Sequence, residues 1–450
     1  MKRFVILILC FLSALWILIV IFRPTMDTDA NVYHLPLSIL MNHSVWYPGI
    51  AKLSALFGFP NGNSVLASAF TSSGIIGFEN IPNLFLWITL GIGVYIYLIK
   101  KGVSPFLSFF VPFVFLLTPV IFWQSYNMGT DLPSACFLLF GLLALSDKKL
   151  EDSMLFFSLA SVFKPLGMVA FLLTTVYIAF LRLSGRRKVD LLKPKIVLSF
   201  VLFFIYLVRM FIGTGNPFYP VLPLNFASWG ISPAVQRGLL SASIKFYSGV
   251  ERTLLGTFVF IKDFLLFPNR VGSSYWFIPF FLVCFILSSY VFIKHRQYKK
   301  VDPHYGYLSF LIVCLATIWF IGSPLFRFIA GLLIFINIKS FITLCRFRVG
   351  KLPMLIVYAS LFVTLGLYIY NVGEHIKDDV LPLIHPSSEA RQSKLPFDEK
   401  IFSTIETEDG FTYSKSDSTF CGRSKPPCIN LHSIGDKDEL IREYRKYNGL

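Results

Sequence analysis

The chain has 450 residues, 55% hydrophobic and 15% charged, with a formal net charge of +16. A soluble protein of this length carries about 25% charged residues, and the apolar residues here gather in runs of roughly 16 to 22, long enough for a bilayer core of about 30 Å. These features exclude a soluble enzyme, and the positive charge, confined to short loops between apolar runs, reads as an orientation signal rather than a nucleic-acid surface.

Met1-Lys2-Arg3 and the run Phe4–Phe22 open like a signal peptide, but the run is too long and no small-residue cleavage site follows. An uncleaved first span with a cytoplasmic N-terminus is expected. A long outer segment, 23–82, comes next, and its stretch Ser64–Gly77 suits a buried or interfacial helix. Further spans are expected at Asn83–Ile99, Pro105–Trp123 and Leu132–Ser146.

Ser153–Leu181 is too long for one ordinary span and is interrupted by Lys164-Pro165. Proline breaks a helix, and a lysine in mid-membrane costs about 2.5–3.5 kcal/mol on insertion scales. Two short spans meeting at Lys164 resolve both difficulties and place the lysine at the far surface. The most basic loop, Arg182–Lys195, is then cytoplasmic, and a span over Ile196–Ile212 leads to a second outer loop, 213–275. Spans at Trp276–Ile293, Tyr305–Gly322, Phe328–Leu344 and Pro353–Val372 complete an all-α, polytopic helical bundle of about 11 transmembrane helices. This bundle occupies residues 1–372, and residues 373–450 form a small outer (periplasmic) tail or domain.

Five cysteines (Cys10, Cys136, Cys284, Cys314, Cys345) lie in apolar runs, where cysteine acts as a small hydrophobe. Cys421 and Cys428 lie in the outer tail, and in an oxidising compartment a disulfide is their leading reading.

The informative polar residues all fall on the outer side. Asp27 and Asp29 follow the first span, in "DTDANVYHLP" with Tyr33 and His34; Asp131 opens the fourth span; Lys164 lies at the turn between half-spans; Arg327 precedes a late span. Each also has a purely structural reading. Asp29 and Asp131 suit helix starts, and Lys164 and Arg327 suit snorkelling to headgroups. His34 has no second histidine or cysteine at metal-ligand spacing. Two carboxylates at Asp27 and Asp29 leave a divalent cation open, but three residues are a weak motif. No cofactor is fixed by the sequence, which has no P-loop, dinucleotide-binding glycine pattern, G-x-S-x-G or HExxH.

Taken together, the acid in a D-x-x-x-Y-H context, the later outer Asp131, the "FKPLG" lysine and the arginine before a late span resemble the GT-C superfamily of polytopic, polyprenyl-phosphate-dependent glycosyltransferases. "DANVYHLP", "PGIAKLSALFGFPNGNSV", "TGNPFYP" and "CGRSKPPC" resemble motifs of a little-characterised bacterial family of such membrane proteins. The resemblance implies Asp29 and Asp131 as catalytic acids, with Asp29 positioning or deprotonating an acceptor hydroxyl. It implies Lys164 and Arg327, beside Tyr33 and His34, as the groups that hold the donor phosphate.

The expected activity is inverting transfer of a sugar from a polyprenyl-phosphate donor to a lipid or polysaccharide acceptor, in cell-envelope glycan assembly at the outer face of a bacterial inner membrane. Two alternatives share the compartment: a transporter or flippase for a lipid-linked sugar, and a polysaccharide polymerase. Transporters favour internal repeats and midplane charges; here no repeat is visible and the charges favour one surface.

Overall fold

The computed structural model describes Ala14, Trp16, Ile17 and Val20, then residues 30–43, 46–73, 75, 77–186, 190–219, 222–238, 278–294, 303–322, 326–346, 351–375, 402–407, 412–416, 428–429, 433–434 and 436–448. The protein is a helical membrane protein. A wide π-type turn, Ala30–His34, runs into α1 (Leu35–His43), and α2 (Gly62–Thr71) overlaps the stretch Ser64–Gly77 expected to hold a buried or interfacial helix, starting two residues earlier.

The apolar runs then form α3 (Ile81–Lys100), α4 (Pro105–Leu116), α5 (Pro119–Gln124), α6 (Asp131–Ser146), α7 (Leu150–Ser161), α8 (Pro165–Leu183) and α9 (Pro194–Thr214). After the second loop come α10 (Ile278–Lys294), α11 (Pro303–Gly322), α12 (Phe326–Arg346) and α13 (Lys351–His375). Among the described residues, three helices are long and apolar enough to cross a membrane: Phe78–Lys100, Pro165–Leu183 and Pro194–Thr214.

Two helices are interrupted at proline, which has no N–H to continue the helical ladder. The expected span Pro105–Trp123 is two helices, broken before Pro119, and the apolar run after Lys149 is broken at Lys164-Pro165. Gly167 lets the second break fold tightly: a Cβ there would lie 2.3 Å from the backbone carbonyl carbon of Ala160. Twelve-residue α7 rises only about 18 Å, well short of a 30 Å core. The nineteen-residue α8 that follows is long and apolar enough to cross a membrane, and Lys164 stands at the junction of the two helices.

At the basic ends, Lys101 pairs with Asp147 at 2.6 Å, Lys193 with Glu151 at 2.5 Å and Lys195 with Asp152 at 2.5 Å. The core centres on α6, which packs against α7 and α12, while α7 packs against α8 and α9.

The tail adds structure that an all-α reading omits. Strands β1 (Phe402–Glu406) and β2 (Thr412–Ser416) pair antiparallel, and β3 (Cys428–Ile429) joins β2 in parallel. The last helix, α14 (Lys437–Asn448), returns to the segment around Val32–Phe57. Its Leu440 and Tyr444 are buried with Val32, Tyr33, Leu37, Tyr47 and Phe57. The Ile434 N–H donates to the Lys52 carbonyl at 2.7 Å, Ser433 Oγ to the Leu53 carbonyl at 2.6 Å, and the Tyr447 ring stacks on Tyr47 at 4.8 Å. Cys421, and the side chain of Cys428, lie outside the described residues.

Candidate functional site

Asp131 is the first residue of α6, and Lys164 caps α8 in extended backbone. Lys164 Nζ lies 3.0 Å from Asp131 Oδ1, with the Asp131 side chain 6% and the Lys164 side chain 22% exposed. A buried carboxylate is tolerated when paired and hydrogen-bonded.

The start of α2 binds this pair to the segment that carries Tyr33 and His34. The Gly62 N–H donates to the Val162 carbonyl at 3.1 Å, in the turn that leads to Lys164. Asn63 Nδ2 donates to the Met128 carbonyl at 2.8 Å, in the turn that leads to Asp131. Ser64 Oγ and His34 Nδ1 are hydrogen-bonded at 3.1 Å. Three consecutive residues thus hold the acid's turn, the lysine's turn and the Tyr33-His34 turn together. Asn83, on α3, adds bonds to the carbonyls of Asn127 at 2.7 Å and Gly129 at 2.8 Å. Asn63, Ser64 and Asn83 are completely buried. Amide side chains suit this place because the turn's carbonyls have no helical partner and water does not reach them.

Tyr33 and His34 lie in the π-type turn, their rings 4.0 Å apart. His34 is buried, and Tyr33 meets Phe59 edge-on at 6.4 Å. Ala30 is fully buried in a small cluster with Leu35, Ala67 and Met128, so the residue after Asp29 packs against the turn that carries Asp131. Asp27 and Asp29 themselves lie outside the described residues. Arg327 is described in its backbone alone. It stands one turn above Gly331, where a Cβ would lie 2.4 Å from the Ala135 carbonyl oxygen; Asp131 stands one turn above Ala135. The two backbone positions therefore share one end of the bundle.

The polar residues of "GNPFYP" are committed to structure. Asn216 Nδ2 donates to the Leu222 carbonyl and to Gln236 Oε1, at 2.6 and 2.8 Å. Tyr219 donates its hydroxyl to the Ala55 carbonyl at 2.9 Å, and burial pushes its phenol above the ordinary range, so it remains a donor. Among the described residues, no group of three His, Cys, Asp or Glu is placed to hold a metal ion.

Sequence reasoning missed Asn63 and Asn83. An amide that bonds backbone far along the chain, as Asn63 in "PNGNS" does, leaves no local periodicity.

Residues 1–334 match a family model described as a domain of unknown function, DUF8201. No curated protein matches. Among solved structures, the apo oligosaccharyltransferase of Archaeoglobus fulgidus is similar at 13% identity and a TM-score of 0.37, over 76% of this chain and 51% of that one. The chain spans about half the length of that protein, and at this TM-score neither fold nor activity transfers between them.

Proposed function

The chain belongs to the DUF8201 family, and we propose that it is a membrane glycosyltransferase that moves a sugar from a polyprenyl-phosphate donor to a lipid or glycan acceptor at the outer face of a bacterial cell membrane. The reading starts from the motif resemblance to the GT-C superfamily. The observation that carries it further is the Asp131–Lys164 pair, held beside the Tyr33-His34 turn by Gly62, Asn63 and Ser64.

Transfer needs a base for the acceptor hydroxyl and positive charge for the departing phosphate. In this reading Asp29 takes the acceptor proton as the acceptor oxygen bonds to the anomeric carbon. The phosphate leaves with the electron pair of the broken bond, from the opposite side, which inverts the configuration. Lys164 stabilises the charge that develops on the phosphate oxygens, and Arg327 joins it from the start of α12. Asp131 fixes the lysine's position and is the second acid near an oxocarbenium-like centre. Asp27 is kept as the residue for a divalent cation, should one be required. The N-terminus is cytoplasmic and the tail periplasmic, which is compatible with α14 packing on the first outer segment.

The test is the Asp29→Asn variant compared with Asp27→Asn, at equal membrane expression, by analysis of envelope glycan. Loss of product in Asp29→Asn is expected, and normal product from it removes the base assignment.

A further inference from the structure

Arg209 lies in the outer half of α9. Its guanidinium stands over the Trp46 ring at 4.3 Å from the centroid. Trp46 is fixed in place by two further contacts. Its Nε1–H donates to the Arg209 carbonyl at 3.1 Å, and its indole is seated on Gly213, where a Cβ would come within 2.7 Å of Cζ2. Arg209 Nε and Nη2 are enclosed by protein and have no hydrogen-bond partner. Nη1 is not enclosed in this way, and the residue as a whole is half-buried. Among the described residues, no carboxylate pairs with Arg209.

A guanidinium is a planar fork of donors that cannot be silenced by deprotonation. Left with unused donors in an apolar setting, it calls for an anion. Lys164 differs, because it faces Asp131 at 3.0 Å. The level in the membrane is similar. α7 and α9 run parallel and are joined at their basic ends by Asp152 and Lys195. Equal rise along the two helices puts Arg209 within about one turn of the level of Lys164, measured along the helix axes.

The neighbouring face of α9 shows Phe204, Ile205 and Val208, which are 65%, 58% and 37% exposed. That face looks towards lipid, so an anion reaching Arg209 arrives on a lipid rather than from solution.

We propose that the Arg209–Trp46 clasp is a binding site for the phosphate of a membrane lipid. The open Nη1 offers its N–H groups to a phosphate oxygen in a charge-assisted hydrogen bond, and Trp46 holds the guanidinium plane while its own N–H is turned away to backbone. The phosphate has two sources, a bilayer phospholipid or an isoprenyl phosphate, and the site does not depend on sugar transfer.

The test uses the full chain, purified and delipidated, with farnesyl phosphate, farnesol and a short-chain phosphatidylglycerol as probes in native mass spectrometry. The wild type is expected to retain a phosphate-bearing lipid at least tenfold better than farnesol. Arg209→Gln loses that preference at least tenfold, with farnesol retention unchanged. Preference for farnesyl phosphate assigns the isoprenyl source, and preference for phosphatidylglycerol the bilayer source. Equal phosphate-lipid retention by wild type and a folded Arg209→Gln overturns the proposal. If that variant does not fold, the wild type is labelled with a phosphatidylglycerol carrying a diazirine beside its phosphate. Labels at Trp46 and on α9 near Arg209 are expected; labels spread evenly over the lipid-facing helices overturn the site.

Discussion

Lys164 Nζ lies 3.0 Å from Asp131 Oδ1, joining the break between α7 and α8 to the first residue of α6. The pair forms because α7 stops short. Had the helix continued through Lys164, the ammonium would stand in the apolar core with no carboxylate beside it. Pro165 ends the helix, Gly167 lets the chain turn back closely, and the lysine faces the start of a neighbouring helix.

The pair should behave as a coupled unit. Asp131→Asn and Lys164→Met are each expected to lower thermal stability in detergent. The double variant should lose less than the sum, by an interaction of about 0.5–3 kcal/mol. A double-mutant cycle measures this, and strictly additive losses would show that the two side chains do not depend on each other.

Asn63 and Asn83 should be as important as the charged residues. Replacing either by leucine leaves turn carbonyls unsatisfied, at about 1–3 kcal/mol each. Maleimide labelling of a cysteine placed at Met128 is expected to accelerate in both variants. Unchanged labelling would mean that the turn is held by other contacts.

Gly167→Ala should be far more damaging than Gly366→Ala. A methyl at Gly167 meets Ala160 backbone at 2.3 Å, whereas at Gly366, on α13, nothing lies within 4 Å. Removing a helical glycine at an open site stabilises by up to about 1 kcal/mol. Melting temperatures of the two variants provide the comparison, and equal effects would contradict the close packing of α7 on α8.

The tail should protect the segment on which α14 packs. Ending the chain after residue 432 removes Leu440 and Tyr444 from their cluster. Leu440→Ala alone is expected to cost about 2–5 kcal/mol of docking energy. Limited proteolysis should then cut within residues 46–58 faster than in the full chain. An unaltered cleavage rate would show that the segment holds its shape without α14.

The breaks and starts were the legible features. Lys164-Pro165 in an overlong apolar run has one economical solution, and Asp131 with Pro133 marks a helix start; both are local signals. The break at Pro119 carried the same signal, but an apolar run of acceptable length concealed it. The docking of α14 was also hidden: Leu440, Ile441 and Tyr444 form an apolar stripe within a polar tail, and its partner lies at the other end of the sequence. The knot at Gly62, Asn63 and Ser64 joins three segments through single side-chain or backbone bonds, which periodicity cannot encode.

The proposed reaction is formation of a glycosidic bond at the Asp131–Lys164 site. The most direct measurement is made in proteoliposomes supplied with a radiolabelled polyprenyl-phosphate sugar and a lipid acceptor, comparing wild type, Asp131→Asn and Lys164→Met for both product formation and movement of donor between leaflets. Labelled acceptor is expected with wild type, falling at least about a hundredfold in each variant, the range for losing one electrostatic group at a reacting centre. Donor movement between leaflets without labelled acceptor, or product formation unaffected by either substitution, would contradict the account.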